Sequence, residues 1–505
     1  MKQFFAFIKK YKIEILVSIL LIAAYFFLRF YRIMSLPLFT DEAIYVRWSQ
    51  IARYDAGWRF ISMTDGKQPM YVWATMTLMR YIINPLASGR LVSVGTGFLT
   101  TIGLFFLGRE IFKNRWVGII SALLYVVYPF GLVYDRMAMY DSMVGMFVVW
   151  ALYVEVLLIR RIRSDIAFIL GLVIGGGMLT KTNAFFTMYL LPTTAILFDF
   201  KQKQKTKRFL FWIAFAILSI ALAQLYYSIL RLSPFYNIID EKNSVFVYPF
   251  RDWIHHPFTF FWGNLKGLWN WFFAYIKLPI FLLIIGSFIW FKERIREKLL
   301  LLAWFILPFI ALAMFGKVLY PRFILFMTLP LLVLAAYALM KVIGYVRQPI
   351  VKVLIVLAFI ALSIRADYYV VTDFVHAPIA GPDLAQYIDD WPSGGGVKEL
   401  VAFLTKQSSK GQLYVATEGT FGSLPTYAVE IYLGTNGNVN HRGFWPIPDK
   451  MPQDLLEKAK QMPVYIVFNQ TQDPPVADWP IKLIAKYQKG TWNRYMRVYQ
   501  VIPQK

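Results

Sequence analysis

Long apolar runs recur along the first three quarters of this sequence. They lie near residues 13–33, 90–108, 117–134, 140–159, 209–230, 269–291, 299–315, 323–341 and 352–370, with a tight pair at 166–199. Because about 20 apolar helical residues cross the roughly 30 Å hydrocarbon layer of a membrane, these runs predict a polytopic α-helical protein with about eleven spans. A mean hydropathy of +0.51 and a charged fraction of only 16% agree with a membrane protein and lie outside the range of ordinary soluble domains.

Basic residues cluster on every second connection between these runs. The clusters are Lys9 to Lys12, Arg109 to Arg115, Arg160 to Arg163, and the segments 201–208, 292–298 and 341–352. Cytoplasmic loops carry an excess of Lys and Arg, so this alternation predicts a cytoplasmic N-terminus and an extracytoplasmic C-terminus in a multi-pass protein of the cell membrane. The net charge of +24 then needs no nucleic acid partner.

The segment 69–84 is apolar enough to pass for a further span. If it crossed the membrane, every later basic cluster would change side, so we place it in a first external loop of residues 34–89. Its aromatic residues Tyr71 and Trp73 suit a helix that lies in the membrane interface. The first apolar run is too long for a signal peptide and is expected to remain as a membrane anchor.

Beyond residue 370 the composition changes. The short β-rich runs LYVAT, PVYIVF and RYMRVYQV alternate with the helix-like stretches KELVAFLTKQ and PQDLLEKAKQ. This alternation predicts a small extracytoplasmic α/β domain over 371–505, following a membrane domain over 1–370. The sequence contains no cysteine, which excludes a disulfide, a thiolate nucleophile and a cysteine metal site.

Two adjacent acids, Asp41 and Glu42, follow the first predicted span. In one interpretation Thr40 caps an interfacial helix and the acids complement the dipole of its first turn. That role needs neither two acids nor this depth, and ionisable residues at the edge of the hydrocarbon are candidates for function. We therefore take both acids as catalytic candidates.

Further charged residues stand at predicted outer turns. Asp135, Arg136 and Asp141 lie between two spans with almost no linker, and either of the first two alone could be an interface anchor. Lys67 belongs to the outer loop. The stretch GKVLYPRF adds a group at the outer end of a span, consisting of Lys317, Tyr320 and Arg322. Arginine there can hold a phosphate bidentately, or can anchor the helix at the interface.

The order of these motifs resembles the GT-C membrane glycosyltransferases, over roughly residues 1–345. The resemblance rests on the outer loop that opens with the acid pair, the downstream Lys-x-Pro, RLVSVGTGFLTTIGLFFLGREIF, the Arg-x-Ala-x-x-Asp turn and the GMLTK turn. It is greatest for the branch that contains protein O-mannosyltransferases and bacterial aminoarabinose transferases. The C-terminal domain does not resemble the β-trefoil insert of the eukaryotic O-mannosyltransferases.

The resemblance implies a sugar donor linked to polyprenyl phosphate that enters from the membrane. It places Asp41 at the reaction centre on the outer face, with Glu42 and Asp141 supporting it, and Lys67 and Arg322 near the donor phosphate. The residue types fit this chemistry, because cleavage of a sugar–phosphate bond needs cations on the departing phosphate, such as Lys67, Arg322 or Arg136. A carboxylate can accept the proton of an acceptor hydroxyl, whereas an acceptor that is itself a phosphate needs no base.

The predicted function is transfer of a hexose or pentose from this donor to a glycan, lipid or protein acceptor. A lipid-carrier glycan polymerase or ligase would share the donor chemistry. A transporter would need polar or broken helices along a midplane pathway, whereas these spans keep their charges mostly at the ends. No metal ligands are assigned, and the sequence leaves open whether a divalent metal takes part.

Overall fold

The computed structural model describes residues 2–290, 292–420, 422–471 and 478–504. Its membrane part is helical throughout. The helices are α1 (Lys2–Phe30), α2 (Thr40–Tyr54), α3 (Met70–Leu78), α4 (Pro85–Phe112), α5 (Arg115–Val126), α6 (Pro129–Asp135), α7 (Tyr140–Arg161), α8 (Ser164–Met178), α9 (Phe186–Leu190), α10 (Lys205–Tyr227), α11 (Ile238–Phe246), α12 (Phe250–His255), α13 (Phe261–Ile276), α14 (Leu278–Gly286), α15 (Ile295–Phe315), α16 (Leu325–Gly344) and α17 (Pro349–Thr372). Short 3-10 turns connect several of them, including Thr182–Phe185, Leu191–Leu197 and Pro321–Ile324.

The prediction of a polytopic helical protein is confirmed. Within the described ranges, seven helices are long and apolar enough to cross a membrane, or nine if each of two bent pairs is one span. One pair, α5 with α6, bends by 62° before Pro129, and the other, α13 with α14, bends by 101° before Pro279. Proline lacks the N–H that would continue the preceding helix, which explains both breaks. Residue 291, the end of one predicted span, lies outside the described residues.

The tight pair predicted at 166–199 differs most from ordinary spans. Its first half is the apolar helix α8, of 15 residues. Its second half is a chain of short turns around α9, interrupted by Pro192. The count of eleven therefore stays a prediction, because these two segments are too short or too irregular to cross the membrane by length alone.

The segment 69–84 forms a short helix. Helix α3 has nine residues, which at about 1.5 Å per residue is less than half the hydrocarbon thickness. It packs against α2 and α4 within the first loop. This length agrees with our interpretation that the segment does not span.

The basic clusters and the acidic motifs lie at opposite ends of the bundle. At one end, ion pairs join Glu110 and Glu297 to Arg160, at 3.0 and 3.4 Å. At the other end, ion pairs join segments that are all predicted to be external, for example Asp65 with Lys242 at 2.6 Å. The grouping of loops agrees with the charge pattern, and which end is cytoplasmic stays a prediction.

Helix α16 is the centre of the bundle. Its residues from Leu325 to Leu339 are all buried, and it packs against α4, α5, α7, α14 and α15. Helices α1 and α17, by contrast, expose most of their apolar side chains, as expected where a helix faces lipid. The turn that carries Arg322 leads directly into α16, so this residue stands at the start of the buried central helix.

The C-terminal α/β domain is also confirmed. Its sheet consists of β1 (Leu413–Glu418), β2 (Val439–Phe444), β3 (Val464–Phe468), β4 (Ile481–Lys489) and β5 (Arg494–Val501). The strand order is β2-β1-β3-β5-β4; β1 pairs in parallel with β2 and β3, and β5 is antiparallel to β3 and β4. The helices here are α18 (Gly381–Leu384), α19 (Val397–Ser408), α20 (Leu424–Leu433) and α21 (Gln453–Gln461).

This domain contacts the helix that carries the acid pair. Helix α2 packs on α20, where Arg47 Nε lies 2.6 Å from Glu430 Oε2 and Gln50 donates to the carbonyl of Ile431. The segment before the sheet also pairs with the start of α2, since Thr40 donates from its N–H and from its hydroxyl to the carbonyl of Pro392. The expectation that Thr40 caps α2 was therefore wrong, because its hydroxyl is engaged by the C-terminal domain.

Candidate active site

The first turn of α2 sends its two acids in different directions. Asp41 reaches the surface, and its Oδ2 accepts a hydrogen bond from Arg322 Nη2 at 3.0 Å. The Asp41 side chain is 26% exposed. Glu42 points in a different direction, and its side chain is fully buried. Adjacent positions on a helix differ by about 100° in direction, which separates the roles of these two residues.

Arg322 is held in place from several sides. Its guanidinium lies 4.4 Å from the centre of the Tyr320 ring and donates from Nη1 to Gln386 Oε1 at 3.3 Å. Its backbone belongs to the turn Pro321–Ile324 at the start of α16. A second guanidinium nitrogen therefore remains directed at Asp41, in the fork geometry that suits carboxylates and phosphates.

A second ion pair lies beside the first. Lys181 Nζ is 2.7 Å from Asp141 Oδ1, and the lysine ammonium also lies 5.0 Å from the centre of the Phe323 ring, next to Arg322. Asp141 stands in the first turn of α7, whose N-terminal dipole favours a carboxylate. Its Oδ2 is buried and has no hydrogen-bond partner among the described residues. Arg322 and Asp41 both lie within electrostatic reach of Lys181, so the two pairs form one cluster.

Lys67 completes this cluster. It is half-buried, with its ammonium 5.3 Å from the centre of the Phe246 ring. Burial lowers the pKa of Lys67 to about 8, while the carboxylate of Asp41 acts in the opposite direction. The preceding Gly66 has a φ of +65°, and a Cβ there would lie 2.5 Å from the Cβ of Lys242. Glycine thus lets α11 pack closely over this loop.

We call Asp41, Lys67, Asp141, Lys181 and Arg322 the central cluster. These residues come from four loops that are distant in sequence and meet at one end of the bundle. Three cations face two carboxylates, so the central cluster carries a surplus positive charge. Such a surplus attracts an anion such as a phosphate group.

Three other candidates do not belong to the central cluster. Glu42 forms a bidentate pair with Arg90, at 2.8 and 2.9 Å, and accepts hydrogen bonds from the N–H groups of Phe39 and Ala138. It thereby joins α2 to the turn before Asp141 and supports the central cluster from behind. Every oxygen of Glu42 is engaged in this way.

Asp135 and Arg136 are occupied by the end of α1. Asp135 accepts from Arg29 Nε at 3.2 Å and from the hydroxyls of Tyr125 and Ser142. The Arg136 guanidinium donates to four backbone carbonyls between residues 28 and 32. Carbonyls at a helix C-terminus lack intrahelical partners, so Arg136 acts here as a cap.

The remaining two candidates stand beside the central cluster. Tyr320 packs its ring against Arg322, as described above. Lys317 is exposed, and its ammonium lies 6.0 Å from the centre of the Tyr248 ring. The backbone of the same stretch pairs with the outer loop, since the N–H of Lys317 donates to the carbonyl of Phe246.

Two members of the site were not predicted from the sequence. Lys181 belongs to the GMLTK turn, which had contributed only to the family resemblance, so its lysine was a usable signal. Gln386 comes from the segment that follows the last span, and nothing in its sequence context marks it. The described residues contain no group of three or more histidine, aspartate and glutamate side chains that could share a metal ion.

Part of this sequence and the whole fold are similar to those of known proteins. Residues 66–227 match the family model of dolichyl-phosphate-mannose-protein mannosyltransferases. The fold matches a crystal structure of ArnT from Cupriavidus metallidurans bound to undecaprenyl phosphate, with a TM-score of 0.61, 13% identity, and coverage of 98% of this chain and 100% of that one. The apo state of the same ArnT matches with a TM-score of 0.58, 14% identity, and coverage of 97% and 99%.

A more distant match is the Archaeoglobus fulgidus oligosaccharyltransferase in complex with Zn and sulfate. Its TM-score is 0.50 at 14% identity, covering 82% of this chain and 61% of that one. No curated protein sequence matches this chain significantly. The family match and the fold together confirm the resemblance to the GT-C membrane glycosyltransferases.

Proposed function

We propose that this chain transfers a sugar from a polyprenyl-phosphate-linked donor to an acceptor on the outer face of the cell membrane. The observation that carries the proposal is the 3.0 Å pair of Asp41 and Arg322, flanked by Lys67 and the Lys181–Asp141 pair. The family match is to enzymes named for a dolichyl-phosphate-linked sugar, and ArnT was crystallised with undecaprenyl phosphate. Both comparisons favour a lipid phosphate donor.

The cations of the central cluster have the chemistry that the departing phosphate requires. As the bond between sugar and phosphate breaks, negative charge grows on the phosphate oxygens, and Arg322, Lys181 and Lys67 are placed to stabilise it. Preorganised cations in a cleft of low dielectric act more strongly than the same groups in water. Because phosphate is a good leaving group, no general acid is needed.

Asp41 and Arg322 form an ion pair with each other. When a donor phosphate binds the Arg322 guanidinium, it replaces the Asp41 carboxylate in this ion pair. The freed carboxylate can then accept the proton of an acceptor hydroxyl, or orient the acceptor if this is a phosphate. Burial lowers the pKa of Lys181, and the Asp141 carboxylate opposes this by favouring the protonated amine and holding it in position.

The acceptor decides between the enzyme classes that share this donor chemistry. A glycan, lipid or protein acceptor makes the chain a transferase, and a growing lipid-linked glycan makes it a polymerase or ligase. The segment that leads into the C-terminal domain reaches Arg322 through Gln386, so we propose that the acceptor is recognised on that side. A transporter is disfavoured, because the central cluster lies at the end of the bundle rather than along a midplane pathway.

Asp41→Asn tests the proposal. Asparagine keeps the shape and a hydrogen-bonding oxygen but loses the charge and the basicity. For a hydroxyl acceptor we expect sugar transfer from a polyprenyl-phosphate donor to slow by about 10²- to 10⁴-fold, with unchanged thermal unfolding. The matched control is Asp373→Asn, at an exposed outer aspartate that pairs with His376.

The outcomes separate the alternatives. Near-normal transfer by Asp41→Asn together with near-normal transfer by Arg322→Gln would leave both residues as structural and refute the proposal. Loss of transfer in Arg322→Gln alone identifies a phosphate acceptor, for which no base is required. The identity of the acceptor follows from mass analysis of the lipid-linked sugars and surface glycans of a deletion strain.

A further inference from the structure

A basic groove lies at the end of the bundle opposite the central cluster. Helices α4 and α7 pack side by side along most of their lengths. Arg90, near the start of α4, binds Glu42 beside the active site, and Arg109 follows 19 residues later. At about 1.5 Å per residue, this separates the two ends by close to one hydrocarbon thickness.

The groove has a volume of about 420 Å³ and a strongly unequal charge. Four cations line it: Arg109, Lys113, Arg115 and Arg161. The one acid in the lining is Glu110. A cavity with such a surplus of positive charge favours an anion.

The acid neutralises only part of this positive charge. Glu110 is already shared between Lys113 and Arg160, and Arg115 reaches Glu14 only at 4.0 Å. Within the part of the chain that the structure describes, Arg109 and Arg161 form no ion pair. Both are exposed at the mouth of the groove, and both lie within electrostatic reach of the Tyr153 hydroxyl.

Aromatic side chains extend the groove along α4 and α7, away from the charged end of the bundle. Phe106 lies 5.8 Å from Tyr153 and 6.1 Å from Trp150, measured between ring centres. On α4, Phe106 is three residues before Arg109, and on α7, Tyr153 is eight residues before Arg161, so each aromatic shares a helix face with a cation. Along the bundle axis, the lining therefore changes from aromatic to cationic.

We propose that this groove binds the phosphate headgroup of an anionic glycerophospholipid, with its acyl chains along Phe106 and Trp150. The change from aromatic to cationic lining matches an amphiphile whose charged end lies at the membrane surface. Basic pockets between spanning helices on the cytoplasmic side are suited to such headgroups. The site lies far from the central cluster and is independent of the proposed transfer reaction.

The alternative is that these cations only add to the general excess of positive charge in cytoplasmic loops. Lys203 and Lys292 provide a matched control, because both are exposed in turns at the same end of the bundle and neither lines the groove. If the general excess alone were responsible, neutralising either pair of cations would weaken lipid binding equally.

The experiment compares two purified full-length double variants with the unaltered protein. One is Arg109→Gln with Arg161→Gln, and the other is Lys203→Gln with Lys292→Gln. Phosphatidylglycerol is titrated into each protein in neutral detergent, and the lipid retained is counted by native mass spectrometry. Phosphatidylcholine and inorganic phosphate serve as separate arms, to distinguish a lipid headgroup from a free anion.

We expect the affinity for phosphatidylglycerol to fall about thirtyfold in the arginine variant and by less than threefold in the lysine variant. Arg109→Lys with Arg161→Lys keeps the charges and should retain most of the binding. Equal losses in the two glutamine variants, or no loss in either, would overturn the proposal. So would displacement of the lipid by millimolar inorganic phosphate, which would show that the groove binds a free anion.

Discussion

Two sets of ion pairs lie at the same end of the bundle, and they differ in how many of their polar atoms have hydrogen-bond partners. We call Glu42 with Arg90, and Asp135 with Arg29, the support pairs. Their side chains are 0% exposed, and each carboxylate accepts several further hydrogen bonds. In the central cluster, Asp41 is 26% exposed, and Asp141 keeps a buried oxygen without a partner among the described residues.

This difference in hydrogen bonding separates residues that stabilise the fold from residues that can bind a substrate. A buried charge with a full set of partners is costly to disturb, because removing one partner leaves the other unpaired in a medium of low dielectric. A carboxylate that reaches water and has one partner can change that partner at small cost. The support pairs therefore hold the loops in position, whereas the central cluster can exchange its internal ion pairs for contacts with a substrate.

The largest expected effect follows from breaking a support pair. In Arg90→Met, the Glu42 carboxylate loses a bidentate partner in a fully buried site, and α4 loses its hydrogen bonds to the carbonyls of Ile33, Leu36 and Pro37. We expect the free energy of unfolding to fall by about 3–5 kcal/mol, seen as a large drop in thermal stability of the purified protein. The double variant Arg90→Met with Glu42→Leu removes both charges and should recover part of the loss. A stable Arg90→Met protein would contradict the scaffold role.

The next effect concerns activity rather than stability. In Arg322→Gln, Asp41 is left without its partner but still reaches water, so thermal stability should fall much less than in Arg90→Met. Loss of a preorganised cation at the departing phosphate should lower the transfer rate by about 10²- to 10³-fold. The measurement is single-turnover transfer from a polyprenyl-phosphate donor. A variant that unfolds like Arg90→Met while it keeps its specific rate would place Arg322 among the scaffold residues.

A smaller effect should appear in the pH dependence of donor binding. Lys67 has a pKa of about 8, so its ammonium is charged below this pH and loses its proton as the pH rises through it. The KM for the donor should therefore rise above about pH 8, since a neutral amine attracts phosphate less. Lys67→Arg keeps its charge over this range and should remove the rise. An identical alkaline limb in Lys67→Arg would assign it to another group.

The positions of most spanning helices could be predicted because their signal is distributed over a series of long apolar runs. Each apolar run is long, and the basic clusters between Lys9 and residue 352 all fall on every second connection. Hydrocarbon thickness leaves few alternatives for such runs, which is why α4, α7, α15 and α17 lie close to their predicted positions. The exception is the pair at 166–199, where Pro192 and short turns break the second helix.

The site was harder to predict because it depends on the direction of single side chains. Asp41 and Glu42 have the same charge and stand at adjacent positions, and only the turn of α2 decides which of them meets Arg322. Likewise, Asp135 and Asp141 share one short connection but bind different partners. Lys181 had a motif to mark it, whereas Gln386 reaches the cluster through tertiary packing of Tyr387 against Phe39, at 4.8 Å between rings. No local pattern encodes such a contact.

Gln386→Ala gives the smallest expected effect and tests whether the C-terminal domain takes part in the reaction. The Gln386 oxygen accepts from Arg322 Nη1 at 3.3 Å, which orients the guanidinium but does not provide its charge. This hydrogen bond is long for one with a charged donor, so we expect it to contribute no more than about 1.5 kcal/mol and the transfer rate to fall about two- to tenfold, with the donor KM nearly unchanged. Gln453→Ala, at an exposed glutamine of α21, is the matched control. The Gln386→Ala change should also lose its effect when made in Arg322→Gln, because the residue acts only through that guanidinium. Additive losses in the double variant would show instead that the C-terminal domain acts on the substrate directly.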